Sequence, residues 1–253
     1  MTCVNIFALT KEDIEILKLE GAYKIDSSSN EKNQQIIKNL DRLVIFRNTN
    51  YNAFTVSLAS AKFNMPIYVF RNAYFTLENE NLKITGEGSI SHKTYGHISL
   101  TINTKSMRVT GFYTDSNMLG PLKIKGKSLY SLEKCLSINT NKVYSFPSCK
   151  DLTGQYKAKN GNLLLLKSYP SGALSLSIKK PLKTGGFANM NFQPGIYNDS
   201  IGLLDFPWSS MKLFGKVYIS YYPKTFARKS YLKVFSISAG GGYSATSYYP
   251  QNR

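Results

Sequence analysis

The sequence predicts an all-β protein made of two tandem, internally duplicated antiparallel β units, with one or two short helices at its N-terminus. Three observations carry this expectation: apolar and polar residues alternate, several segments recur in the same order, and turn-forming residues are spaced at hairpin intervals. Apolar residues make up 42% and charged residues 19% of the 253 residues, which excludes wholesale disorder and long exposed helices.

The N-terminal region carries helix signals. Thr10 and Asp13 have the spacing of a capping box ahead of Ile14, which predicts a helix there. Residues 33–40 form a second candidate helix. Residues 1–18 are interpreted as a leader that precedes the first β unit.

Three segments recur later in the chain and indicate an internal duplication. A Gly-x-Tyr-Lys segment returns with its glycine and tyrosine in place, and a longer apolar segment returns without a gap, so that Leu43 matches Leu163. Alternation alone explains one such match, but not three matches in the same order. The pairs are 19–24 with 152–157, 42–58 with 162–178, and 82–91 with 211–220.

The duplication predicts the division of the chain. Each unit is expected to be a meander of six to eight strands, closed into a barrel or folded into a sandwich. Alternating residues such as Phe54, Val56 and Leu58 indicate strands with one polar face. The predicted parts are a leader (1–18), a first β unit (19–134), a Cys-flanked linker (135–151), a second β unit (152–240) and a flexible tail (241–253).

The three cysteines predict no metal site. Cys135 and Cys149 flank a short polar segment that a disulfide could close, and two reduced thiols are the alternative. Cys3 is left over by this pairing. None of the three has a histidine or second cysteine at zinc-ligand spacing, and we expect neither a metal nor a cofactor.

Catalytic motifs are absent from the sequence. His92 and His97 have no partner set nearby, and we interpret them as turn and strand residues. Asp199 and Asp205 lie six residues apart, and paired carboxylates are what glycoside hydrolysis needs. A hydrolase that uses these aspartates as acid and base is one alternative, but we expect a protein without catalytic activity.

Charge is the strongest compositional signal. Thirty-two Lys and Arg against fifteen Asp and Glu give a net charge of +17. Residues 1–50 are neutral overall, so the whole excess belongs to the rest of the chain, and no acidic residue follows Asp205. Such an excess predicts an anionic partner but says nothing about the fold.

A basic, aromatic β surface in the second unit is the predicted ligand-binding site. Strand alternation puts lysines and rings on one face, which suits an anionic ligand with flat or apolar parts. The alternative is that the rings pack against other parts of the protein. The predicted residues are Lys212, Phe214, Lys216, Tyr218, Arg228, Lys229, Tyr231, Lys233 and Phe235.

We therefore expect a non-enzymatic protein that binds a polyanionic partner, an anionic lipid or glycan of a cell envelope, with single-stranded nucleic acid as the alternative. Contact with a membrane surface is compatible with this expectation, and no apolar run is long enough for a transmembrane helix. The abundance of Tyr, Asn, Ser and Thr favours an extracytoplasmic setting, although the sequence as given starts without a signal peptide and a cytosolic location stays open. The oligomeric state is left open.

Overall fold

The computed structural model confirms an all-β protein with a short N-terminal helix. The structure describes residues 10–28, 40–48, 52–91, 94–131, 152–170, 174–192, 196–198, 203–209, 214–227 and 229–251. The chain forms two compact units. One contains Thr10–Cys135 together with Ile237–Gly242, and the other contains Met1–Leu9, Leu136–Ser236 and Tyr243–Arg253.

Helix α1 (Lys11–Lys18) begins at the predicted capping box. Thr10 Oγ1 accepts a hydrogen bond from the Asp13 backbone N–H, and Asp13 accepts one from the Thr10 backbone N–H, each at 3.0 Å. The helix buries Ile16 in the core of the first unit, so this unit starts at Thr10 rather than at residue 19. Arg47 on a barrel strand donates to Asp13 at 2.9 Å and ties the helix to the barrel.

The first unit is a closed barrel of eight antiparallel strands in sequence order, closed by pairing of β1 with β8. Every second residue points into its core, where Phe54, Phe70 and Tyr113 are buried. The strands are β1 (Gly21–Ser28), β2 (Arg42–Arg47), β3 (Phe54–Ser60), β4 (Met65–Glu78), β5 (Asn81–Ser91), β6 (Thr94–Asn103), β7 (Arg108–Asp115) and β8 (Leu122–Ser131).

The second unit is a nine-stranded antiparallel sheet with the order β12-β11-β10-β9-β17-β16-β15-β14-β13. Its own core contains Leu164, Leu176, Val217 and Leu232. The strands are β9 (Gly154–Ala158), β10 (Leu163–Ser168), β11 (Leu174–Pro181), β12 (Phe187–Asn191), β13 (Ile196–Asn198), β14 (Leu203–Ser209), β15 (Phe214–Tyr222), β16 (Tyr231–Ser238) and β17 (Tyr243–Pro250).

The two sheets share one strand plan. Strands β9, β10 and β11 correspond to β1, β2 and β3, and β17, β16, β15 and β14 correspond to β8, β7, β6 and β5. In the first unit, β4 pairs with β3 over its first part and with β5 over its second part. In the second unit these parts are separate strands, because β12 pairs with β11 and β13 pairs with β14. The described second sheet therefore ends at β12 and β13, whereas the continuous strand β4 joins β3 to β5 in the first sheet.

Matching hydrogen bonds in the first strand of each unit support the duplication. Tyr23 donates its phenol O–H to the Leu19 carbonyl at 2.7 Å, and Tyr156 donates to the Leu152 carbonyl at 2.8 Å. Both tyrosines are buried. The Gly-x-Tyr segment recurs because the same buried tyrosine holds the chain that enters the first strand.

Two details of the predicted repeat alignment are wrong. Tyr23 pairs with Leu43 and Tyr156 with Leu164, so Leu43 corresponds to Leu164 and not to Leu163. The alternation of the all-leucine run 163–166 cannot be read from residue types, which explains the shift of one residue. The segment 211–220 includes most of β15, which corresponds to β6, whereas segment 82–91 lies in β5.

The predicted flexible tail is also wrong, because residues 243–250 form β17 and pair with β9. Gly240–Gly242 lie at the turn of the β16–β17 hairpin, where Ser238 N–H donates to the Gly242 carbonyl at 2.8 Å. The linker with Cys135 and Cys149, the leader residue Cys3 and most of the candidate helix 33–40 lie outside the described residues.

Candidate functional site

The predicted basic, aromatic face lies on β15 and β16, which are neighbours in the second sheet. Their alternate apolar residues lie in the core of the second unit, as Val217 and Ile219 do on β15 and Leu232 and Val234 on β16. The predicted separation of the two faces is confirmed for these strands.

Three residues of the opposite face are buried, which agrees with the alternative that the rings pack inside the protein. Lys216 exposes 2% of its surface, and Tyr218 and Phe235 expose none. The Tyr218 and Phe235 rings stack with centroids 6.2 Å apart, and Lys216 Nζ lies 5.6 Å from the Tyr218 ring. Alternation shows on which side of a sheet a residue lies, but not whether that side is covered.

The remaining predicted residues differ in exposure. Phe214, Tyr231 and Lys233 are half-buried, and Lys229 is exposed. Lys212 and Arg228 lie outside the described residues. A role of these residues in binding an anion stays a prediction.

Tyr231 is the middle ring of a tyrosine row that crosses three strands. Tyr222 on β15 stacks against it with centroids 4.7 Å apart and an interplanar angle of 4°, and Tyr249 on β17 lies on its other side at 5.7 Å. Lys157 on β9 is the register partner of Tyr249. Because the rings cover each other's faces, the row offers phenol groups and ring edges to a ligand more than open ring faces.

The first barrel carries a basic patch that was not among the residues predicted from the sequence. Lys24 on β1 and Arg108 on β7 are both register partners of Lys127 on β8, so three cations lie side by side across adjacent strands. Lys123 and Lys125 follow on the same face of β8, at alternate positions. We call these five residues the basic patch, and all five are exposed.

Lys127 of the basic patch has a cation as its register partner on each side, and Lys125 has the acid Asp26 on one side. Elsewhere on this barrel Lys83 pairs with Glu78 at 2.6 Å and Lys105 with Glu80 at 2.5 Å. Within the described part of the chain, no ion pair involves a residue of the basic patch. Like charges on directly opposed strand residues are destabilising, by roughly 0.2–1 kcal/mol, so the row Lys24–Lys127–Arg108 opposes folding.

A glycine lets the strands under the basic patch approach closely. A Cβ at Gly126 on β8 would lie 2.3 Å from the Lys24 carbonyl oxygen and 2.9 Å from Ile25 Cγ2. Only glycine therefore allows β1 and β8 to pair as they do at this position. The Leu-Lys-Ile-Lys-Gly-Lys run of β8 is the sequence signal that could have identified the patch.

Of the candidate catalytic residues, the structure describes the side-chain contacts of His97 alone. His97 Nδ1 lies 3.3 Å from Glu87, which also accepts a hydrogen bond from the Tyr95 hydroxyl at 3.0 Å. His92 and Asp199 lie outside the described residues, and of Asp205 only its place in β14 is described. Among the described residues, no three His, Cys, Asp or Glu side chains group as metal ligands would.

Comparison with known proteins identifies no family. No protein-family model matches the chain, and no curated protein matches its sequence. The chain is similar to a crystal structure of a putative outer membrane protein from Bacteroides fragilis, with a TM-score of 0.28, 10% identity, and coverage of 94% of this chain and 99% of the other. It is also similar to a protein of unknown function from the DUF3598 family of Nostoc punctiforme, with a TM-score of 0.26, 10% identity, and coverage of 96% and 100%.

In the described residues, no helix has the length and apolarity needed to cross a membrane.

Proposed function

We propose that this chain is a non-enzymatic binding protein that holds an acidic glycan on the basic patch of its first barrel. The observation that carries the proposal is the row Lys24–Lys127–Arg108, in which three exposed cations lie on directly opposed positions of three strands. Asp26, the register partner of Lys125, is the one acid next to the patch on β1, so the five cations keep a strong positive excess.

The geometry of the patch favours a flexible linear polyanion. Neighbouring strands lie about 4.8 Å apart and alternate residues on a strand about 6.8 Å apart, so the cations form a small grid. Carboxylates along an acidic glycan can contact several members of such a grid at once. The outer wall of a barrel is convex, and a flat membrane would contact fewer of these cations than a chain that bends around the wall.

Nucleic acid fits the patch less well than a glycan does. Proteins that bind single strands combine cations with aromatic rings on which bases stack. In the patch, Phe112 is the register partner of Lys123, and the other register partners of the three β8 lysines are not aromatic. In the second unit, the stacked Tyr222 and Tyr231 already cover each other's faces.

The second unit, on which the sequence predicted the binding site, is expected to contribute to the same function. Residues 152–253 hold thirteen Lys and Arg against two Asp, so the unit attracts anions as a whole. Tyr231 and Lys233 are its half-buried candidates, and Lys157 beside Tyr249 adds an exposed cation. An acidic glycan as partner favours an extracytoplasmic, envelope-associated location.

A binding panel tests the proposal. The purified protein is titrated with polygalacturonate, with neutral dextran, with a single-stranded oligothymidylate and with vesicles that contain an anionic phospholipid. We expect saturable binding of polygalacturonate that weakens as salt is added, and no binding of dextran. Tighter binding of the oligothymidylate or of the vesicles would reject the glycan in favour of that partner, and no binding to any anion would reject the function.

Paired variants locate the site. In the row variant, Lys24, Arg108 and Lys127 are all changed to Gln. The control variant changes Lys62, Lys83 and Lys105 to Gln and removes the same charge from the same barrel, including two lysines that already pair with acids. Each exposed charge contact contributes about 0.2–1 kcal/mol to binding. We therefore expect the row variant to bind polygalacturonate roughly thirtyfold more weakly than the unaltered protein. The affinity of the control variant is expected to fall less than about threefold.

A further inference from the structure

The interior of the second unit contains a cavity of about 440 Å³. It lies above the core of this sheet, where Ile178, Val217 and Val234 supply an apolar wall. Met190 and Phe192 continue this wall at the open edge of the sheet. The volume falls within the range of roughly 300–1,000 Å³ that is typical of small-ligand pockets.

The cavity lies where the strand plan of the second unit departs from that of the first. In the first barrel β4 is continuous and bridges β3 to β5, whereas β12 and β13 are the two ends of the second sheet. All five residues of β12 are exposed, and Met190 on this strand lines the cavity. The exposed strand β12 therefore forms one side of the cavity at an end of the described sheet.

The polar lining includes Asn160 and Asn162 as well as residues of β16 and β17, and it carries a single charge. Ser236 and Ser244 share a hydrogen bond of 2.7 Å, and Thr246 and Tyr248 follow on the inner face of β17. Burial raises the pKa of the Tyr248 phenol, so this group is neutral at physiological pH. Lys180 is the one charged residue among those that line the cavity.

Lys180 lies on the inner face of β11. Along this strand Leu174, Leu176 and Ile178 are buried in the core, and Lys180 continues the same alternation at the exposed end of the strand. Its neighbour Lys179 lies on the outer face and pairs across the strand with Leu163. A lysine thus lines a cavity that has one apolar wall and no acid among its lining residues.

We propose that this cavity binds a small amphipathic monoanion, a carboxylate with an aliphatic body, with its head at Lys180 and its chain against the apolar wall. The apolar side removes hydrocarbon from water, and the lysine and hydroxyl groups receive the carboxylate. This site is independent of the basic patch, which lies in the other unit.

The test uses isothermal titration calorimetry with decanoate and with decan-1-ol, which has the same chain and no charge. We expect one decanoate per chain and weaker binding of decanol. Lys180→Gln is expected to weaken decanoate about fivefold and to leave decanol unchanged. Lys179→Gln, on the outer face of the same strand, is the matched control and is expected to bind both as the unaltered protein does.

A cavity-filling variant tests the location. Thr246→Phe puts a ring into the cavity and is expected to weaken both probes at least tenfold while thermal unfolding stays cooperative; Ser244→Phe replaces it if that variant does not fold. The row variant of the first barrel is expected to bind decanoate normally. Absence of saturable decanoate binding, normal binding by the filled variant, or equal effects of Lys179→Gln and Lys180→Gln would each overturn the proposal.

Discussion

The repeated tyrosine hydrogen bond can be tested as an anchor of the first strand in each unit. Tyr23→Phe keeps the buried ring and removes only the hydroxyl that donates to the Leu19 carbonyl at 2.7 Å. A net hydrogen bond contributes about 0.5–1.5 kcal/mol, and an unsatisfied buried carbonyl costs about 1–3 kcal/mol. Because Tyr23 is fully buried and Leu19 nearly so, we expect a loss of roughly 1–2 kcal/mol in the free energy of unfolding.

Tyr156→Phe is expected to behave in the same way in the second unit, with a loss of about 1 kcal/mol, since Tyr156 exposes 6% of its surface. Urea unfolding monitored by circular dichroism measures both losses. Tyr74→Phe, at a ring that is 79% exposed, is the control and is expected to change stability by less than about 0.3 kcal/mol. Equal, negligible effects of all three changes would refute the view that this bond anchors each unit.

Three further predictions concern the first barrel and the buried lysine of the second unit. Burial raises the pKa of Asp13, but hydrogen bonds from Thr10 and Arg47 outweigh this effect and hold the pKa below its usual value. Asp13→Asn should therefore be less stable than the unaltered protein at pH 7. The urea midpoints of the two proteins should converge as the pH falls through the folded-state pKa of Asp13. Gly126→Ala should lower stability by about 1–3 kcal/mol, because the new Cβ would meet the backbone of β1. Gly88→Ala is the control and should change stability little, because there is open space around Gly88. Equal melting temperatures of the two variants would contradict the steric explanation. Lys216→Glu should lower the melting temperature far more than Lys157→Glu, because Lys216 is buried and Lys157 is exposed; the reverse order would contradict the burial of Lys216.

Strand patterning made the fold predictable. Alternation along Phe54–Leu58 and Leu174–Ile178 identified β3 and β11, and the recurring Gly-x-Tyr identified β1 and β9. The register of residues 163–166 could not be predicted, because all four are leucine. Pairing with β9 in the structure shows that Leu164 faces the core. The strand β17 was mistaken for a tail because its glycine-rich hairpin and small polar residues lack a marked apolar alternation.

The candidate site was less predictable than the fold. The sequence correctly separated the faces of β15 and β16, but the covering of Lys216, Tyr218 and Phe235 depends on tertiary packing that a strand pattern does not contain. The basic patch depends on register between strands far apart in sequence, since Lys24 and Arg108 meet only through Lys127. The local sequence signal for the patch is the lysine alternation of β8, which lacks the interleaved aromatic residues of the predicted site.

The most direct test of the proposed function is the salt dependence of polygalacturonate binding by the unaltered protein, the row variant and the control variant. If Lys24, Lys127 and Arg108 form the binding site, the slope of log affinity against log salt concentration becomes shallower in the row variant by roughly two to three, about one for each lost contact. The control variant is expected to keep the slope of the unaltered protein. Equal slopes for the row and control variants would show that only total charge matters and would contradict the assignment of the site to this row.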